Sequence, residues 1–179
     1  MPAVGALALV PGARMARYGA VLRVAACVID EHGCVHEIDK FIQPSGRHNI
    51  QPDAIVNSGL DYAALGDAEE EAAVCAEIAD WCSDRQIRTA VVLAREHHGW
   101  FDELNLRSCQ GQQQLPQLVD VHSVEMSLAL LGEFIPTFTL EGGTPLDAPF
   151  VARRLAGWLS QIIVRYAVSG KETHAITSI

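Results

Sequence analysis

Apolar residues fall into short, near-continuous runs in the first third of the chain and at helical spacing further on. Residues 4–10, VGALALV, form one such run, closed by the turn signal Pro11-Gly12. A run of this length with no charge predicts a strand buried on both faces. Residues 20–30, AVLRVAACVID, predict a second strand, and Glu31-His32-Gly33 a tight hairpin turn. Residues 34–43 alternate imperfectly, with Glu37 and Asp39 out of step with Ile38, and predict a third strand with one wetter face. The chain therefore opens with a three-strand antiparallel meander.

Residues 44–60, rich in Pro, Gly, Asn and Ser, predict a loop with one helical turn at 53–56. Residues 67–82 predict a helix. Glu69, Glu70 and Glu71 load its first turn, and Val74, Cys75, Ile78, Trp81 and Cys82 make its stripe. Residues 90–94, AVVLA, predict a strand buried on both faces, then a polar turn from Arg95 to Gly99 and a helix from Trp100 to about residue 109. A polar linker at 110–114 precedes a strand at 115–121 and a helix at 123–131. A loop at 133–144 holds Pro136 and Gly142-Gly143. A strong helix at 149–167 presents Val151, Leu155, Trp158, Leu159, Ile162, Ile163 and Tyr166 on one face, with Arg153 and Arg154 off it. The order β-β-β-α-β-α-β-α-α predicts an α/β fold with an antiparallel half. One domain is expected over residues 1–168, with a frayed polar tail at 169–179.

Composition narrows the partners. No apolar run reaches the roughly 18 residues of a membrane span. No basic residue precedes the apolar N-terminal run, which makes a poor signal peptide and a good first strand. The five cysteines form no CxxC pair, which predicts reduced, mostly buried thiols and a cytoplasmic protein. A net charge of −9 excludes a broad basic surface for duplex nucleic acid. It leaves room for a local groove, since Arg14, Arg17 and Arg23 cluster in sequence.

Chemistry is expected at the carboxyl end of the strand at 90–94, the place where open α/β sheets put their ligands. Asp102 lies just past that end, with His97 and His98 close by. The plain alternative is a pair of exposed loop histidines and a first-turn helix carboxylate. His97, His98 and His122 with Asp120 offer donors for a mononuclear zinc or nickel site. Cys109 beside His97 or His98 has no orienting group for nucleophilic catalysis. Gly142-Gly143 lacks the spacing of a phosphate-binding loop.

Several stretches, in order, resemble the DnaQ-like 3′–5′ exonucleases, the DEDD group of the ribonuclease-H-like superfamily. Residues 21–30 resemble that family's second strand. Ile50-Gln51-Pro52-Asp53-Ala54-Ile55, followed by Ser58-Gly59-Leu60, resembles its I-x-P-x-A … G-L loop. His97-His98-Gly99-Trp100-Phe101-Asp102 resembles H-N-x-x-F-D. Leu118-Val119-Asp120 resembles the next strand, and Leu146-Asp147-Ala148 the opening of the last helix. The resemblance implies a ribonuclease-H-like mixed sheet and hydrolysis with two Mg²⁺ or Mn²⁺ ions held by four carboxylates. Those carboxylates are a D-x-E pair on the first strand, the Asp of the F-D motif and an Asp on the last helix, with a His five residues before it as general base.

This chain departs from that pattern at the pair. The D-x-E positions fall on Ala8 and Val10, and residues 4–18 contain no Asp or Glu. The motif carboxylate is present as Asp102. The last-helix Asp falls on Ala148, with Asp147 one residue away, and the His position falls on Gly142 or Gly143. The resulting expectation is a catalytically inactive exonuclease-like domain with no cofactor. It would bind single-stranded nucleic acid, a protein complex or another copy of itself, and no membrane. Arg14, Arg17, His97, His98 and Trp100 are the expected nucleic-acid contacts, with Tyr18 a further exposed aromatic. One alternative is an active Mg- or Mn-dependent exonuclease using Asp102 and Asp147. The other is an assembly subunit with no nucleic-acid role, docking through the helix at 123–131.

Overall fold

The computed structural model describes residues 3–30, 32–44, 48–58, 60–108, 115–130, 137–140 and 147–168. The expected linker at 110–114, Cys109, Gly142-Gly143 and the tail at 169–179 lie outside the described residues.

Six strands form one mixed sheet in the order β4-β3-β2-β1-β5-β6. They are β1 (Ala3–Pro11), β2 (Val21–Ile29), β3 (Val35–Gln43), β4 (Glu69–Glu70), β5 (Ile87–Val92) and β6 (Gln117–Asp120). The first three make the antiparallel meander, and β5 runs parallel to β1 with Val4 opposite Thr89 and Ala6 opposite Val91. The β2–β3 turn is set by Asp30. Its Oδ1 accepts from the amides of His32 and Cys34, and Gly33 takes the positive φ of 80° that such a turn needs.

The helices are α1 (Pro52–Ser58), α2 (Tyr62–Gly66), α3 (Glu71–Asp84), α4 (Glu96–Ser108), α5 (Val121–Leu130) and α6 (Ala148–Val168). Because side chains alternate along a strand, β1 feeds two cores. Ala6, Ala8 and Val10 join Val151, Leu155, Leu159 and Ile162 of α6. Leu7 and Leu9 join Val74 and Ile78 of α3 and Phe101 and Leu104 of α4 on the opposite face. This ribonuclease-H-like layering is the fold class the sequence predicts.

Three boundaries differ from expectation. The helix expected over 67–82 is two elements, the two-residue β4 and α3, with the short helix α2 just before them. Glu69 and Glu70 leave the helix because they pair with Ile42 and Gln43, and Lys40 draws Glu69 to 3.0 Å. The strand expected at 90–94 begins earlier, at Ile87, and ends at Val92. The polar turn expected from Arg95 to Gly99 is the first turn of α4, started by amide bonds from His97 to the Ala94 carbonyl and from His98 to that of Arg95. The two histidines are therefore helical and half-buried.

Candidate functional site

The carboxyl end of β1 is apolar. Ala8 is 2% exposed and Val10 4%, both packed under α6. Val10 stands opposite Arg23 of β2 in the antiparallel register, so the two side chains share a face. Arg23 is the single charged residue of β2 and is nearly covered. Its Nε and Nη2 donate to both oxygens of Asp39 at 2.7 and 2.6 Å, and its Nη1 donates to Asp147 at the start of α6. The guanidinium also lies 4.6 Å from the Phe41 ring centroid. Hydrogen bonding to Asp39 leads the causes that raise its pKa further, so it stays charged at every working pH.

Asp102 projects from α4 into solvent. Its neighbours in the motif point inward. Phe101 is fully buried, and Trp100, 6% exposed, packs against Gly19. Trp100 thus presents no free face for a nucleic-acid base, contrary to the sequence expectation; position 100 answers to the core because α4 starts one turn early. His97 Nδ1 and His98 Nε2 are buried atoms with no hydrogen-bond partner among the described residues. Burial leads the causes that lower the His97 pKa, which keeps its ring neutral. His98 Nε2 stands 4.0 Å from Asp120 Oδ2, beyond a hydrogen bond.

Asp120 itself is a cap. It accepts from the Ser123 amide at 2.9 Å and the Ser123 hydroxyl at 2.7 Å, opening α5. Burial pushes its carboxyl up, but the Ser123 bonds and His98 outweigh that and hold it below the usual carboxylate value. His122, the remaining member of the candidate mononuclear site, points to solvent. Among the described residues, no group of three or more His, Cys, Asp or Glu is placed to hold a metal ion.

The loop between β1 and β2 is a firmer surface feature. It exposes Arg14, Met15, Arg17 and Tyr18, with Tyr18 53% exposed and the Arg17 guanidinium 5.5 Å from its ring centroid. The loop is tied down from behind. Asn49 donates to the Tyr18 carbonyl and Gln51 to that of Gly12, each at 2.7 Å. Arg107 of α4 donates to the Gly19 carbonyl at 3.0 Å while its Nε and Nη2 grip both oxygens of Glu71 at 3.1 Å. The structure thus separates the expected contacts: Arg14 and Arg17 stand together on one loop, with Tyr18, while His97, His98 and Trp100 lie against the core.

No family model matches the chain, and no curated protein matches it in sequence. Solved structures do. E. coli Exonuclease I in complex with a dT13 oligonucleotide superposes with a TM-score of 0.67 at 13% identity, over 100% of this chain and 46% of that one. The zinc-bound form of the same E. coli enzyme with single-stranded DNA gives 0.67 at 14% identity, over 90% and 40%. The nuclease domain of 3′hExo, a DEDDh family member bound to rAMP, gives 0.66 at 10% identity, over 96% and 94%. The chain has the fold of the DnaQ-like 3′–5′ exonucleases. It spans less than half the length of E. coli Exonuclease I.

The DnaQ-like resemblance implies a pair of divalent ions, and the donors among the described residues do not fit them. Hard cations need several oxygen ligands each. Ala8 and Val10 supply none, Asp147 is committed to Arg23, and Asp102 is a single exposed carboxylate. Arg23, expected in a basic groove with Arg14 and Arg17, is instead engaged by Asp39 and Asp147; that pairing, and the pairing of Arg107 with Glu71, were not read from sequence. A lone arginine inside the otherwise apolar run at 20–30 was the available signal, because a buried guanidinium requires a paired carboxylate.

Proposed function

We propose that this chain is an exonuclease-fold domain that binds single-stranded nucleic acid and does not hydrolyse it. The observation that carries the reading is the apolar floor of Ala8 and Val10, closed by the Arg23–Asp147 pair, where the fold's relatives in sequence pattern carry metal-binding carboxylates. Without a bound cation to neutralise them, a cluster of carboxylates there would repel a phosphodiester. Ala8 and Val10, buried under α6, put no charge there. The Arg14–Tyr18 loop, which follows β1 and packs against α4, offers two guanidinium groups for phosphates and one exposed aromatic ring for a base. Stacking on such a ring contributes about 1–3 kcal/mol per base and is tolerant of sequence. The tethers from Asn49, Gln51 and Arg107 hold the loop in place before the ligand arrives, which lowers the ordering cost of binding. The net charge of −9 opposes the approach of any polyanion, so the binding is local and weak.

The test is fluorescence anisotropy of a labelled single-stranded oligonucleotide in EDTA, with the oligonucleotide's length read on a gel after incubation in Mn²⁺. The reading expects saturable binding in EDTA, lost in the Arg14→Ala, Arg17→Ala, Tyr18→Ala triple variant, and an oligonucleotide of unchanged length. Shortening of the oligonucleotide by the wild type but not by Asp102→Ala would establish the active-exonuclease alternative. A second reading, docking to a protein partner, is favoured by one observation. Met126 and Leu130, four residues apart on α5, are 49% and 83% exposed. Absence of oligonucleotide binding at low salt would turn the case to that surface.

A further inference from the structure

We propose that Arg23 is a built-in cation standing where the divalent ions of a two-metal site would act, and that it bars a metal from the site. The inference rests on the reading of the site as one without two-metal chemistry, and is independent of whether nucleic acid binds. Three features of the structure support it. Arg23 is opposite Val10 in the β1–β2 register, on the face that α6 covers, and directly opposed side chains have Cβ atoms about 4.5–5.5 Å apart. Its fork bridges Asp39 of β3 and Asp147 at the head of α6, so one guanidinium links two elements and uses both nearby carboxylates. A neighbouring pair repeats the connection, with Arg153 of α6 donating to both oxygens of Glu37 on β3. Every carboxylate on the α6-facing side of β3 is thus matched by an arginine.

The consequence is that restoring carboxylates alone does not restore the metal site. A Glu at position 10 would face Arg23 across the strand pair and form an ion pair with it, and the fixed positive charge would repel an incoming dication. Removing Arg23 does the opposite, since it frees Asp39 and Asp147 as oxygen donors.

The experiment titrates Mn²⁺ and follows the electron paramagnetic resonance of the free ion. Four proteins are compared: wild type, Arg23→Gln, the Ala8→Asp/Val10→Glu double variant, and the triple variant combining all three changes. Thermal melts confirm that each is folded. Wild type and the double variant are expected to show no saturable binding at micromolar Mn²⁺, and the triple variant to bind at least tenfold more tightly than the double. Arg23→Gln, which leaves the core residues untouched, is expected to bind Mn²⁺ at least threefold more tightly than wild type, so the test stands even where the buried carboxylates prevent folding. A double variant that binds as tightly as the triple, or an Arg23→Gln protein no better than wild type, overturns the proposal. Tight paired-ion binding by the wild type would instead overturn the proposed function itself.

Discussion

Gly19→Ala tests whether the loop after β1 is held by packing on Trp100. A Cβ at position 19 would lie 2.4 Å from Trp100 Cη2, and 2.8 Å from both the Ala13 Cβ and the Met15 carbonyl oxygen. Carbon atoms in contact prefer about 3.5–4.0 Å, so the indole would have to retreat by roughly 1 Å or more. It has nowhere to go, because Trp100, on α4, is 6% exposed and sits in the core that α3 and α4 form against the sheet. The backbone contributes nothing to the cost: Gly19 has φ −94° and ψ 148°, open to any residue. Overpacking of this kind costs about 1–3 kcal/mol, which for a chain of this size lowers Tm by roughly 2–12 °C. Urea unfolding of Gly19→Ala, Trp100→Phe and the double variant separates the clash from other effects. Phe lacks the atom that collides, so the double variant should be more stable than the summed single effects by about 1 kcal/mol or more. A neutral Gly19→Ala, or strictly additive effects, would refute the packing argument.

If Arg14 and Arg17 make the two phosphate contacts, the log–log salt slope of single-strand binding is about −1.4, and affinity falls about sevenfold between 50 and 200 mM salt. Anisotropy titrations at several salt concentrations check this, and a slope that persists in Arg14→Ala/Arg17→Ala would place the contacts elsewhere. His97 is held neutral by burial, its folded pKa below the ordinary 6.5, so the unfolded chain binds the proton more readily. Stability is then full above about pH 6.5 and declines as pH falls toward the folded pKa; melts across that window should show the decline and His97→Phe should flatten it. Among the described cysteines, Cys34 is exposed whereas burial pushes Cys27 to about 11 and Cys82 to about 12. Alkylation mapped by mass spectrometry should label Cys34 first, and equal labelling of Cys27 in the native protein would contradict its burial.

The meander, the parallel pairing of β5 with β1 and the long C-terminal helix were legible because their apolar patterns are long and unambiguous. Residues 4–10 and 149–167 admit one reading each. The errors cluster where a tertiary partner decides a local choice. Glu69 and Glu70 look like a helix's acidic first turn, but two residues of parallel pairing and Lys40 claim them first. His97 and His98 look like loop residues because polar runs are loops more often than buried helix starts. Only the packing of Phe101 and Trp100 fixes where α4 begins. At the candidate site the sequence showed what β1 lacks, since Ala8 and Val10 carry no charge at any alignment. It could not show that Arg23, Asp39 and Asp147 converge from three elements, because nothing in the spacing of residues 23, 39 and 147 brings them together. The likeness to Exonuclease I and 3′hExo rests on shape at 13% and 10% identity, which carries the fold and not the site.

The most direct measurement of the central claim is isothermal titration of the wild-type protein with Mn²⁺. With Ala8 and Val10 at the end of β1 and Asp147 held by Arg23, the account predicts no saturable isotherm at micromolar ion. Two ions bound per chain at micromolar affinity, with both lost in Asp102→Ala, would contradict it.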